Sequence, residues 1–86
     1  MQNEDIDRMV LTFLRQVAPE AVLESLQAHL PFRDQFQFDS VDFLSFVMKL
    51  EKETGTRISE LDYPRLSSLQ GCRVFFKDSY LPHPNG

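Results

Sequence analysis

Apolar residues recur at helical spacing along this chain of 86 residues, and that periodicity constrains its fold more than any other feature. The clearest case lies near the N-terminus, where an i, i+3, i+4, i+7 pattern predicts one face of a long helix. That face consists of Ile6, Met9, Val10, Phe13, Leu14 and Val17. Asn3 or Asp5 can cap the start of the helix. Its end is expected near Ala18, because Pro19 disfavours helical geometry in the preceding residue.

A second helix is predicted from about Ser40 to Thr54, with Gly55 as a left-handed C-terminal cap. At about 100° per residue its apolar positions form two stripes, which together span about 220° where a surface helix usually shows about 100°. The first stripe is Phe43, Phe46, Val47 and Leu50, and the second is Val41, Leu44 and Met48. The first is expected to pack against the N-terminal helix. The second is either covered by the rest of the chain or exposed as a docking patch beside Ser40.

The segments around these helices complete an all-α bundle with three main helices, one short helix and a long loop after the first helix. Residues 18–38 are predicted to form that ordered loop, with one or two helical turns that end at Pro31. The side chains of Phe32, Phe36 and Phe38 are expected to lie beneath the core. Ser59 and Asp62 suggest a capping box for a short turn that Pro64 limits. Ser67 is the predicted cap of the last helix. The domain is expected to cover residues 1–76, followed by a mobile tail at 77–86.

The formal net charge of −4 is unevenly distributed. Residues 1–38 and 39–62 each hold six acids and three bases, whereas residues 63–86 hold one acid and three bases. This distribution argues against nucleic acid as a partner, because binding to phosphates needs a basic footprint. It permits a protein partner with a basic docking face.

Other features predict a cytoplasmic protein that does not bind membranes and is a monomer by default. No segment approaches the ~20 apolar residues of a membrane span, and the acidic N-terminus differs from the basic start of a secretory signal. The single cysteine, Cys72, fits a reducing compartment and is expected in the core. With only His29 and His83 besides, no metal-ligand spacing is present.

The Asp39-Ser40 pair at the start of the second helix has two interpretations. Either residue can simply be the N-cap. Alternatively, Ser40 is a reactive hydroxyl, although a serine hydrolase would need a base and an orienting group that the sequence does not supply nearby. If Ser40 reacts, another enzyme must activate it. A phosphoryl group there would lie at the positive end of a helix, where anions are favoured.

The segment from Phe38 to Phe76 resembles the acyl carrier protein family. The run DSVD at residues 39–42 is similar to the attachment motif of that family. An apolar and acidic helix then reaches Gly55, followed by RIS at 57–59, a short helix and a Ser-capped final helix in the expected order. The match covers roughly residues 36–76, and the preceding helix and loop fit the same layout.

The resemblance implies a four-helix acyl-carrier-type bundle that is not an enzyme. Ser40, beside Asp39, would carry 4′-phosphopantetheine, installed from coenzyme A by a magnesium-dependent phosphopantetheinyl transferase. Acyl groups supplied by a loading ligase or synthase would then ride as thioesters on the terminal thiol. The resemblance also implies a surface that partner enzymes read, made of Val41, Asp42, Leu44, Ser45 and Met48.

Departures from the family pattern favour a specialised fatty acid, polyketide or related pathway. Gln37 stands where a glycine is common, Ser45 replaces the usual acid, and Lys49 and Lys52 add positive charge to the second helix. The alternative function is an unmodified helical adaptor that uses the same 41–48 face for regulatory binding.

Overall fold

The structure is a computed structural model that describes residues 2–79 of the chain. Its three α-helices are α1 (Asn3–Val17), α2 (Ser40–Thr54) and α3 (Leu69–Ser79). Three 3₁₀ helices lie between them: Leu23–Ser25, Phe32–Asp34 and Glu60–Leu66. No β-strand occurs in the described part of the chain. The predicted all-α fold, with three main helices, one short helix and a long first connection, is confirmed.

The boundaries of α1 and α2 follow from local sequence signals. Gln2 is the N-cap residue of α1 and makes no side-chain capping bond, so the predicted cap by Asn3 or Asp5 is wrong. Ala18 is the C-cap residue of α1, as predicted. Gly55 ends α2 with a φ of 70°, a left-handed conformation that glycine adopts without steric cost.

The core lies where the three α-helices meet. α1 packs against both α2 and α3. The fully buried side chains are Ile6, Val10, Leu14, Phe32, Phe46, Val47, Leu50, Leu66, Cys72 and Phe76. The first stripe of α2 belongs to this core, with Phe43 partly buried at its edge, so the prediction that it packs inward is confirmed.

The long connection between α1 and α2 is ordered, as predicted, and contains two short 3₁₀ turns. The predicted end at Pro31 is wrong, because the first turn already ends at Ser25 and Pro31 is the N-cap residue of the second. The Gln35 side chain organises it: its amide oxygen accepts from the Gln27 N–H at 2.7 Å, and its amide nitrogen donates to the Gln27 and Leu30 carbonyls at 2.9 Å. The Phe32 N–H donates to the Ser67 carbonyl at 2.8 Å, which ties the connection to the C-terminal half.

The second half of the chain differs from prediction in three places. The 3₁₀ helix Glu60–Leu66 is longer than the single turn predicted and contains Pro64, whose fixed φ suits helical geometry at the cost of one N–H donor. Ser68 caps α3 instead of Ser67, since its hydroxyl oxygen accepts from the Gly71 N–H at 3.0 Å. α3 continues three residues beyond the predicted boundary at 76, and residues 80–86 of the predicted tail lie outside the described residues.

Two close contacts hold α3 in place. A Cβ atom at Gly71 would lie 1.9 Å from the Arg65 carbonyl oxygen, so only glycine permits this approach to the 3₁₀ helix. Arg73 on α3 forms two hydrogen bonds of 2.7 Å with the Asp7 carboxylate on α1. None of the described helices has both the length and the apolar character that crossing a bilayer requires.

Candidate functional site

The start of α2 is fixed by Asp39, which is its N-cap residue. The Asp39 carboxylate accepts a hydrogen bond from the Asp42 N–H at 2.9 Å, and the Asp42 carboxylate accepts from the Asp39 N–H at 3.4 Å. This reciprocal pair is a capping box, which satisfies two of the donors that a helix start leaves unpaired. Of the two residues that sequence allowed as caps, Asp39 therefore fills the role.

Ser40 is the first residue of α2 and is exposed. Its hydroxyl forms no hydrogen bond with any residue that the structure describes, because the capping position is already occupied. The hydroxyl also lies at the positive end of the helix dipole, where an attached phosphate is stabilised by roughly 0.3–1 kcal/mol when the site is exposed. The prediction that one residue of the Asp39-Ser40 pair is the N-cap is confirmed, with Asp39 and not Ser40 in that position.

Phe38 and Phe43 brace the same helix start from either side of the cap. They occupy the N′ and N4 positions, and their rings meet edge to face with centroids 6.2 Å apart. This is a hydrophobic staple, which fixes the angle at which the chain enters a helix. The Phe38 ring also packs against the ring of the fully buried Phe32, with centroids 5.7 Å apart, so the staple is anchored in the core. Ser40 is thus an exposed residue on a rigid support.

A cleft of about 550 Å³ opens beside Ser40, within the size range of small-molecule sites. One wall is aromatic: the rings of Phe43 and Tyr63 meet edge to face with centroids 5.4 Å apart, and this contact joins α2 to the 3₁₀ helix Glu60–Leu66. Phe38 extends this wall, and Arg33, Asp39 and Glu60 supply charged groups. Sequence reasoning missed Arg33 and Tyr63 as site residues. The FDSVDF pattern at 38–43 could have indicated the staple, but nothing local indicated the cleft.

The second stripe of α2 is exposed. Val41, Leu44 and Met48 keep 69%, 45% and 66% of their surface accessible. The structure therefore agrees with the exposed alternative, and the alternative in which Leu44 is covered by its own chain is wrong. Leu61 on the 3₁₀ helix is 91% exposed and was not identified from sequence. Asp42 and Ser45 are partly buried and exposed, respectively.

The remaining reactive side chains offer little chemistry. Cys72 is fully buried, as predicted, and burial raises the pKa of its thiol, which disfavours the reactive thiolate. His29 is exposed in the long connection and does not line the cleft, whereas His83 lies outside the described residues. Residues 2–79 contain no group of three or more potential metal ligands.

Two comparisons of the sequence, with protein families and with curated proteins, found no match. No protein-family model matches the chain, and no curated protein has a significantly similar sequence. The resemblance to acyl carrier proteins stays a prediction based on residues 36–76.

Proposed function

We propose that this chain is an acyl carrier protein, which bears a substrate and is not itself an enzyme. Ser40 is the attachment residue for a 4′-phosphopantetheine arm. The observation that carries the proposal is the position of its hydroxyl, exposed at the first residue of α2 while Asp39 does the capping. A serine that had only a capping role would use its hydroxyl for the helix amides.

Attachment requires coenzyme A as the co-reactant and a transferase that supplies the base. The Ser40 oxygen forms a bond to the β-phosphorus of coenzyme A, the bond from that phosphorus to the adenosine bisphosphate leaving group breaks, and the hydroxyl proton passes to the transferase base. The chain contributes position: the capping box and staple hold the helix start, and the dipole of α2 favours the phosphodiester.

The residues present fit the arm. The hydroxyl is accessible, the positive helix end faces the attachment point, and the adjoining cleft leaves room beside it. When bound, the arm supplies a terminal thiol that carries acyl groups as thioesters. Cys72 cannot replace that thiol, because it is fully buried.

The exposed stripe of α2 supports the proposed partner face. Val41, Leu44 and Met48 form its apolar part, and Asp42 and Ser45 add polar groups beside the attachment point. A small mixed patch suits a carrier that a transferase and a loading ligase or synthase must each bind and release. Lys49 and Lys52 on the same helix favour a specialised fatty acid, polyketide or related pathway, and the cytoplasm is the expected compartment.

One experiment tests attachment directly. The pure chain is incubated with coenzyme A, magnesium and a broad-specificity phosphopantetheinyl transferase, and its intact mass is measured. We expect the wild type to gain one arm and Ser40→Ala to gain none. Ser25→Ala is the matched control, since it removes an exposed serine outside the proposed partner face and should still gain the arm.

An unchanged wild-type mass across several transferases would contradict the carrier function. The alternative is then favoured, in which the exposed Val41, Leu44 and Met48 serve an unmodified helical adaptor. Both functions use the same face, so only the modification distinguishes them.

A further inference from the structure

The charges along α2 are complementary to their own reverse order. Asp39 and Asp42 lie at the N-terminal end, Lys49 and Lys52 lie towards the C-terminal end, and both pairs have the same spacing. We propose that a second copy of this chain binds the exposed stripe of α2, with the two helices antiparallel about a two-fold axis. Asp42 of each copy then faces Lys49 of the other, and Asp39 faces Lys52. This pairing goes beyond the proposed function and needs no attached arm.

A single position of the axis satisfies both kinds of charge pair. In an antiparallel pair related by a two-fold axis, facing residues lie at equal distances from the axis along their helices. The midpoint between Asp42 and Lys49 is also the midpoint between Asp39 and Lys52, and it falls directly after Ser45. The two charge pairs therefore define one register.

The exposed apolar stripe lies at the centre of this arrangement. Leu44 is next to the axis, and Val41 of one copy lies within one helical turn of Met48 of the other. Each stripe therefore covers the other, and apolar surface that a single chain leaves in solvent is buried. The charges select the direction, because a parallel pair would place Asp42 beside Asp42 and Lys49 beside Lys49.

Asp42 and Lys49 flank the stripe along the same edge of α2. They are seven residues apart, so at about 100° per residue their directions around the helix differ by only about 20°. The two-fold axis brings this edge of one copy beside the same edge of the other, as for the flanking charges of coiled coils. Neither side chain forms an ion pair within residues 2–79. The Asp42 Oδ2 atom accepts the Asp39 N–H, which leaves Oδ1 to accept from a lysine.

The contact is small, so the pairing is weak. α2 has 15 residues and is therefore about 22 Å long. Two such helices bury less than the roughly 1,600 Å² of a standard interface, and we expect a dissociation constant on the order of 0.1–1 mM. Below that concentration the chain is the monomer that the sequence predicts, and its stripe is accessible to other proteins. Above it, pairing competes with the proposed partner enzymes for the same face.

Sedimentation equilibrium of the unmodified chain, from well below to well above the expected dissociation constant, tests the pairing. We expect the average mass to rise towards that of a dimer, and to rise less at high salt, which screens exposed charges. Lys49→Glu should raise the dissociation constant by roughly tenfold, because it replaces two attractive contacts with Asp42 by two repulsive ones. Arg57→Glu is the matched control, since it makes the same change of charge at an exposed residue beyond α2 and should have no effect.

A mixture of two charge variants tests the antiparallel register. Asp42→Lys alone places two positive charges in contact across the axis, and Lys49→Glu alone places two negative charges there, so each should pair more weakly than the wild type. An equimolar mixture should regain the wild-type affinity, because every introduced charge then faces its opposite. Circular dichroism of each variant verifies that α2 still forms.

Met48→Glu tests the apolar contact without changing the capping box. It should abolish detectable pairing, whereas Val22→Glu, at nearly equal exposure but outside α2, should not. A wild-type chain that stays monomeric, equal effects of Lys49→Glu and Arg57→Glu, a mixture no stronger than its components, or pairing by Met48→Glu would each overturn the proposal. Failure of Ser40 to gain the arm would instead overturn only the proposed function, so the two failures are distinguishable.

Discussion

The two apolar stripes of α2 have opposite environments on one helix. Phe46, Val47 and Leu50 are buried against α1 in the shared core. Val41, Leu44 and Met48 are exposed. Both stripes obey the same helical periodicity, so hydrophobicity alone did not determine which one the fold would bury.

This difference in burial indicates that the second stripe is not needed to form the core. The first stripe already packs into the core beside α1, and buried residues of α3 belong to the same core. An exposed apolar stripe adjoining an unengaged hydroxyl therefore has recognition as its most economical explanation. We therefore expect substitutions on the first stripe to change stability and substitutions on the second to change binding.

The largest expected effect comes from a matched pair of leucines. Leu50→Ala should lower the free energy of unfolding by about 2–5 kcal/mol, because it removes a fully buried side chain and leaves a cavity. Leu44→Ala should lower it by less than about 1 kcal/mol, since its side chain is already half accessible. Urea denaturation followed by far-UV circular dichroism measures both, and the chain has no tryptophan to follow instead.

Equal losses from the two leucine substitutions would break the comparison. Such a result would place Leu44 in the core in solution and remove it from the proposed partner face. If only Leu50→Ala lowers the free energy of unfolding, Leu50 is a folding residue and Leu44 remains a candidate for binding.

The next effect separates the two roles of Asp39. Asp39→Ala should cost about 1 kcal/mol of stability, because it removes the N-cap that accepts the Asp42 N–H. Asp39→Asn should cost only a few tenths of a kcal/mol, since asparagine caps about as well as aspartate. The rate of arm transfer measured on both variants then distinguishes the cap from the charge.

If Asp39→Asn loses transfer while keeping its stability, the carboxylate charge itself is read by the transferase. If both variants transfer at the wild-type rate, Asp39 has only a structural role. The latter outcome would reject the interpretation of Asp39 as part of the attachment site.

The sequence predicted the helices well because their signals are local. The spacing of Ile6 to Val17, Pro19 after α1 and Gly55 after α2 each act within one or two turns. The error at the start of α3 concerned a choice between two neighbouring residues. Ser67 and Ser68 are adjacent and chemically equal, and only the three-dimensional path showed that the Ser68 hydroxyl accepts the Gly71 N–H.

The cleft at Ser40 could not be predicted in the same way. The cleft is lined by Arg33 on the long connection, Phe43 on α2 and Tyr63 on the 3₁₀ helix Glu60–Leu66, which are far apart in sequence. Their proximity depends on tertiary contacts such as the hydrogen bond that the Phe32 N–H donates to the Ser67 carbonyl. The sequence could predict Ser40 and the exposed stripe as candidates but not the wall beside them.

The smallest expected effect on stability is that of Met48→Glu, which tests the exposed stripe most directly. Because Met48 is 66% exposed, a charge there should change the free energy of unfolding by less than about 0.5 kcal/mol. It should nevertheless lower kcat/KM for arm transfer by roughly tenfold if a partner buries this side chain, which corresponds to about 1.4 kcal/mol. Val22→Glu is the matched control, at 67% exposure but outside α2, and should leave transfer unchanged.

The pair of substitutions in this last experiment isolates position from chemistry. Both replace an apolar side chain of nearly equal exposure by the same carboxylate, so the change in net charge is identical. A loss of transfer confined to Met48→Glu assigns recognition to the second stripe of α2. Equal losses would mean that the transferase responds to overall charge, and the contrast between the two stripes would then concern burial alone.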